Sequence, residues 1–273
     1  VFMTDLRLAQ SVNFDTEQGD NEGAGLFNIG LFGVDPDPLD TGEFITTVSA
    51  TAADVDVEID TSTGSGSGGN VDLGKFDNDS FDAADADDDS VEFVEDLTIN
   101  TGGTAGNGST QLHHSVSLDD ADAGGADFEI AGDGNVFLSP NTRSGTTFTI
   151  DTNADTTDGV AGDTDDSDPS NDRGTGPGGE FTLNGSSLSA DTVNTTLRIF
   201  TGSDDDLGGQ VQLDDVDNTA GAYISNLLVD TRGLADATDP RNESDGIIHV
   251  LGDVRTQDGG DGGDDGGPNG PDI

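Results

Sequence analysis

Asp54-Val55-Asp56-Val57-Glu58-Ile59-Asp60 alternates apolar and acidic side chains without a break. A period of two is that of a strand with one face buried and the other in water, so this stretch is a half-buried strand. The N-terminal segment follows the same rule: Phe2, Leu6, Leu8, Val12 and Phe14 share one parity, while Asp5, Arg7, Ser11, Asn13 and Asp15 share the other. Further strand-like runs occupy Leu26–Val34, Phe44–Ile59, Val91–Asn100, Gln111–Leu118, Phe128–Ile130, Val136–Leu138 and Thr146–Asp151. After a long Asp, Thr, Gly and Pro stretch they resume at Glu180–Leu183, Thr192–Phe200, Gln210–Leu213, Ala222–Asp230 and Gly246–Val254. Short strands separated by Gly, Asp and Asn clusters predict an all-β fold, and their spacing points to a jelly-roll-like β-sandwich with long acidic loop insertions.

Composition agrees with the strand reading and names a habitat. The 273 residues include 41 Gly, and the acids are mostly Asp, a combination that disfavours helix. There are 57 Asp and Glu against 8 Lys and Arg, a formal net charge of −49. Such self-repulsion points to a solvent near molar salt, where screening acts within about 3 Å, and to an extreme halophile as source. A polyanion needs a basic patch, so nucleic acid is excluded as a partner. The absence of Cys removes disulfides, thiolate metal sites and cysteine nucleophiles. No apolar run reaches the roughly 18 residues of a membrane-spanning segment. Val1 at the start fits export-signal removal, and an engineered or trimmed start equally well.

Little in the chain suggests catalysis. The histidines are His113, His114 and His249, with no Gly-x-Ser-x-Gly elbow. His113 and His114 are adjacent on an expected strand and so point to opposite faces. Paired carboxylates are plentiful, but sugar sites add aromatic platforms, and the chain has no Trp and only Tyr223. Gly64, Gly66 and Gly69 match a dinucleotide fingerprint in spacing alone, since Ser and Gly flank them where a strand and a helix are required. Asp151, Asn153, Asp155 and Asp158 place hard oxygen donors along one loop and form the candidate metal site, with Ca²⁺ as the matching ion. The sixth-position Gly and twelfth-position Glu of an EF-hand are missing, and Asp163, Asp165, Asp166 and Asp168 make a similar cluster. The chain is therefore read as no enzyme, with no cofactor required beyond that Ca²⁺. Sequons at Asn78, Asn107, Asn184, Asn194 and Asn242 are candidate glycosylation sites.

The opening Val1-Phe2-Met3-Thr4-Asp5 resembles the mature start of TasA/camelysin-type exported proteins, in which an aromatic-x-Ser/Thr-Asp element follows signal cleavage. Leu227-Leu228-Val229-Asp230-Thr231-Arg232-Gly233-Leu234 is similar to a strand-and-turn segment of related haloarchaeal secreted proteins. The resemblance implies a jelly-roll subunit of an extracellular filament, such as an archaeal bundling pilus, which polymerises by donating its N-terminal strand to a neighbour. Residues 1–16 would be the donor strand, with Phe2, Leu6, Leu8, Val12 and Phe14 as the inserted side chains. Residues 17–257 would form the sandwich, with acidic insertions near 61–90 and 151–179, and 258–273 a Gly/Asp-rich tail. The same strand has the pattern to pair within its own sheet instead. On this reading the partner is a second copy of the chain and the location the cell surface. The alternatives are a capsid, tail or decoration protein of a halophilic virus, and a monomeric surface domain that binds Ca²⁺ or carbohydrate.

Overall fold

The computed structural model describes residues 5–16, 26–29, 31–34, 43–77, 93–119, 125–139, 146–154, 177–192, 194–203, 207–217, 223–233 and 246–256. The chain winds in successive coils, the first five of which each lay one strand in each of three sheets. The first coil holds β1 (Asp5–Leu8), β2 (Val12–Asp15) and β3 (Phe27–Asn28), followed by a hairpin of β4 (Leu31–Val34) and β5 (Glu43–Ile45). The second holds β6 (Thr47–Ala50), β7 (Val57–Asp60) and β8 (Val71–Leu73). The third holds β9 (Lys75–Phe76), β10 (Leu97–Asn100) and β11 (Ser109–Leu112), and the fourth β12 (Val116–Ser117), β13 (Phe128–Ala131) and β14 (Asn135–Leu138). The fifth contributes β15 (Thr147–Asp151), β16 (Phe181–Asn184) and β17 (Ser187–Ala190). The sixth and seventh contribute β18 (Thr195–Phe200) with β19 (Val211–Leu213), and β20 (Ile224–Asp230) with β21 (Ile248–Val250). In these last two coils Val216 and Val254 continue the third sheet as single bridges from Leu188.

The first sheet runs β1-β6-β9-β12-β15-β18-β20, the second β2-β7-β10-β13-β16-β19-β21, and the third β17-β14-β11-β8-β3. Every pairing in these sheets is parallel, and the β4–β5 hairpin is the one antiparallel pair among the described strands. This corrects the expected jelly-roll-like sandwich, which is antiparallel; the chain is a parallel β-solenoid. The error has a physical source. Clean apolar-in, polar-out alternation normally marks antiparallel sheets, because most parallel sheets are covered by helices on both faces. A solenoid is an exception, since three parallel sheets share one interior and leave their outer faces to solvent.

Register turns that alternation into columns along the axis. Val12, Val57, Leu97, Phe128, Phe181, Val211 and Ile248 are successive partners in the second sheet. Leu6, Val48, Phe76, Val116, Ile150, Ile199 and Val229 are their counterparts in the first. Phe27, Val71, Thr110, Val136, Leu188, Val216 and Val254 run down the third. The middle members of these columns are fully buried and form one core, with the Phe128 and Phe181 rings 5.4 Å apart.

Outside the second sheet, the matching column reads Asn13, Glu58, Thr98, Glu129, Thr182, Gln212, His249. Neutral groups separate the two glutamates, so carboxylates do not face each other across a ladder spacing of about 4.8 Å.

Corners repeat a local device. Thr61 Oγ1 donates to the Gly69 carbonyl at 2.8 Å, and Thr201 Oγ1 donates to that of Gly209 at 3.2 Å. Both threonines are buried, and each follows the last residue of a strand. The glycines are required by proximity between coils: a Cβ on Gly179 would overlap the Ala126 carbonyl oxygen, one on Gly209 that of Gly179, and one on Gly246 that of Gly209.

Candidate functional site

The two ends of the solenoid differ from its middle. The apolar residues that pack on the core while staying only partly buried are Leu6, Leu8, Val12, Phe14 and Phe27 in the first coil, and Leu227, Val229 and Val254 in the last. Most of the exposed large hydrophobic residues described lie there too, Leu26 at the first coil and Leu228, Ile247, Ile248, Val250 and Leu251 at the last, while Leu207 lies before β19 in the sixth coil. Ile248 and Val250 pair with the buried Val211 and Leu213 and extend their columns, yet they are 46% and 49% exposed. Half of their surroundings is the coil beneath; among the described residues no strand lies on the other side.

The first coil is tied to the second by amides placed over carboxylates. Asn13 Nδ2 donates to Glu58 Oε2 at 2.6 Å, Asn28 Nδ2 to Asp72 Oδ2 at 2.8 Å, and the Val12 amide to the Asp56 carbonyl at 2.9 Å. Phe14 and Phe27 meet at a centroid distance of 4.9 Å and hold the corner between the second and third sheets. At the other end Arg232 pairs with Asp230, while Arg255 reaches Asp253 at 2.7 Å and Asp217 at 3.6 Å. Four of the five candidate donor-strand side chains, Leu6, Leu8, Val12 and Phe14, thus face the chain's own core, on strands paired in parallel with β6 and β7. Phe2 lies outside the described residues.

Of the candidate metal ligands, Asp151 and Asn153 are buried in the corner after β15. Asp151 Oδ1 accepts the Asn153 amide at 3.0 Å and fixes the local turn, while Asn153 Nδ2 donates to the Gly202 carbonyl at 2.9 Å and braces the next coil. Asp155, Asp158 and the Asp163–Asp168 cluster lie outside the described residues. Among those described, no three His, Cys, Asp or Glu side chains come together as a metal site. Of the sequon asparagines, Asn107, Asn184 and Asn194 are exposed, and Asn78 and Asn242 lie outside the described residues. Asn107 Nδ2 is engaged with the Asp133 carbonyl at 3.0 Å; at Asn194, by contrast, it is Oδ1 that is used, accepting from the Tyr223 hydroxyl at 3.0 Å.

His113 and His114 sit in the corner past β11 rather than on the strand. His113 is buried with Nδ1 3.1 Å from the Ser139 carbonyl. His114 Nδ1 accepts the Ser115 amide at 2.8 Å, a bond that requires the unprotonated nitrogen. Burial, and behind it the nearby Lys75 ammonium, pushes its imidazole down to about 4, with Asp77 acting the other way. Lys75 and Asp77 form an ion pair beside it. His114 is therefore neutral in the fold, whereas an unfolded chain takes up the proton near pH 6.5. Stability is expected to fall as pH drops through the window from about 6.5 to 4, by roughly 2 kcal/mol at pH 5 relative to pH 7. Denaturant unfolding in molar salt measures this slope. A His114→Gln variant should lack it, and an unchanged slope in that variant would assign it to other groups.

Asp72 lies on the outer face of the third sheet, where burial pushes its carboxyl up and His113 opposes the shift. Comparison with family models, curated proteins and solved structures finds no match to this chain.

Proposed function

We propose that this chain is a structural subunit of an extracellular filament of a halophilic archaeon, a homopolymer whose joint involves the N-terminal strands. The observation that carries the reading is that, among the described residues, half-buried and exposed apolar side chains concentrate in the first and last coils, with Leu207 in the sixth coil as the exception. Exposed strand edges with apolar flanks are templates for pairing with another chain, and such pairing repeated from copy to copy gives a linear polymer. Each subunit carries −49, so polymerisation brings large like charges together and depends on screening.

The expected result is helical or linear filaments by cryo-electron microscopy in about 3 M salt, where the Debye length is below about 3 Å. Dilution to about 0.1 M salt should dissolve them, with sedimentation reading the loss of polymer and circular dichroism separating dissociation from unfolding. Dispersed single particles at every salt concentration would sink the filament reading. Filaments that survive in dilute buffer would remove its electrostatic part.

Strand donation in the strict sense would require β1 and β2 to leave their own partners. They make a continuous parallel register with β6 and β7, Leu6 opposite Val48 and Val12 opposite Val57. Breaking those pairs before remaking them elsewhere carries a cost that a joint using the opposite, outward edge avoids.

A further inference from the structure

We infer that Asn194 is a glycosylation site, its Nδ2 taking a sugar at the anomeric carbon. The inference rests on the extracellular location in the reading above and is independent of polymerisation.

Spacing alone makes the sequons equivalent, and the fold separates the three that fall on described residues. At Asn107 both ends of the carboxamide are used: Oδ1 accepts the Gly103 amide at 3.1 Å, and Nδ2 donates to the Asp133 carbonyl at 3.0 Å. The hydroxyl of the same sequon, Ser109 Oγ, donates to Asn70 Oδ1 at 3.2 Å. At Asn184, Nδ2 donates to Glu129 Oε1 at 3.4 Å, and the next residue, Gly185, is left-handed with a φ of +77° and has its amide held by Asp214. Ser186, which completes that sequon, is only 1% exposed, with its hydroxyl inside the fold. A transferase reading either sequence would have to open a corner that ties neighbouring coils together.

Asn194 differs on each count. It is exposed in the turn just before β18, with a φ of 60°, a conformation that Asn tolerates. The turn is held by backbone: the Thr195 amide donates to the Tyr223 carbonyl at 3.3 Å, and the Tyr223 amide to the Thr192 carbonyl at 3.1 Å. The Tyr223 hydroxyl donates to Asn194 Oδ1 at 3.0 Å and so fixes the carboxamide by its oxygen, while among the described residues nothing is bonded to Nδ2. Thr196, which completes this sequon, is half-buried between the buried Thr195 and Leu197, and so takes the outward parity of β18. Its hydroxyl accepts from Asn226 Nδ2 at 3.3 Å, and Asn226 is an exposed side chain that can move aside. Nucleophile and hydroxyl are both presented without unfolding.

The reaction needs a sugar activated as a phosphate ester and a transferase outside this chain. The bond from Nδ2 to the anomeric carbon forms as that carbon's bond to the phosphate oxygen breaks. The electron pair leaves on the phosphate, and Nδ2 gives up one of its two protons. Oδ1 remains a carbonyl oxygen, so the bond from Tyr223 survives in the product.

The test is mass spectrometry on protein purified from its native source. Trypsin leaves Asn184 and Asn194 in one peptide, 174–198, so fragmentation that keeps the glycan attached has to assign the residue. The expected result is a glycan on Asn194, with Asn107 and Asn184 bare. Asn194→Gln and Thr196→Val, made in the same source, should each lose that mass, whereas Thr196→Ser should keep it, with circular dichroism unchanged in all three. Rescue by serine separates recognition of the hydroxyl from a merely structural role. A glycan retained in Thr196→Val would overturn the assignment of the sequon, and equal occupancy of all three sequons would overturn selection by the fold. A bare Asn194 in protein from the cell surface would overturn the site and leave the filament reading standing. A bare Asn194 in protein confined to the cytosol would overturn both.

Discussion

Gly179→Ala is expected to destabilise the protein by about 3 kcal/mol and lower its melting temperature by roughly 10 °C. Gly179 lies two residues before β16, where a Cβ would overlap the carbonyl oxygen of Ala126 in the coil beneath. That oxygen belongs to the backbone, which cannot rotate away as a side chain can, so the fourth and fifth coils must separate locally to admit the methyl group. Coil-to-coil contact is the unit of cohesion in a solenoid, and loosening one interface lowers the coupling of everything beyond it. Gly64 provides the control. A Cβ there meets nothing within 4 Å, and Gly64→Ala should change stability by less than about 0.5 kcal/mol. Thermal unfolding in molar salt compares the two; equal effects would show that the glycine column is not needed for close stacking.

Phe181→Ala carries the second large effect, a loss of about 3–5 kcal/mol, with Phe128→Ala costing a similar amount. Both rings are fully buried and occupy successive positions of one column. Removing either leaves a cavity that the coils above and below cannot fill without breaking their ladders. Because the rings touch, the double variant should depart from additivity by about 0.5–1.5 kcal/mol. Ile248, in the same column but 46% exposed at the end of the stack, should lose far less on truncation to Ala in the monomer. Chemical denaturation of the three single variants tests whether position along the axis sets the cost. Similar losses at Phe181 and Ile248 would contradict an open end face.

Much of the local structure was legible from side-chain order. Alternation in Asp54–Asp60 identified β7 and its inward residues Val57 and Ile59, and the same parity rule identified Leu6, Leu8, Val12 and Phe14 as core-facing. The stretch 61–70, placed above in an insertion near 61–90, is a coil corner with Thr61 and Thr63 buried. Its signal was present as a repeat. Ile59-Asp60-Thr61, Ile99-Asn100-Thr101, Ile150-Asp151-Thr152, Ile199-Phe200-Thr201 and Val229-Asp230-Thr231 share one pattern. A glycine followed by an apolar-x-apolar strand comes after four of the five, as in Gly179-Glu180-Phe181-Thr182-Leu183 and Gly209-Gln210-Val211-Gln212-Leu213, while Gly108-Ser109-Thr110-Gln111-Leu112, with Thr110 at the first inward position, follows Thr101. Such recurrence is the mark of a solenoid, obscured here by loops of unequal length between the Thr and the Gly.

Asp151 and Asn153 show the same limit at the level of a site. Oxygen donors at alternate positions suggest a cation from sequence alone, because nothing in the order of residues says where each side chain points. In the fold, the Asn153 amide nitrogen is turned onto the Gly202 carbonyl of the next coil, a contact across 49 positions. The end faces were equally invisible beforehand: Ile248 and Val250 read as ordinary strand residues, and only the stacking order reveals that no described strand lies over them.

The sequence by itself determined that the chain is all-β and which side of each strand is apolar. These properties depend on neighbours one or two residues away. Tertiary structure alone decided that the strands pair in parallel, coil upon coil. Parity tells a strand which face to bury but not which strand to bury it against; that choice lies with contacts between residues tens of positions apart, where the Ala126, Gly179, Gly209 and Gly246 column lets backbones approach closely enough to close the ladder.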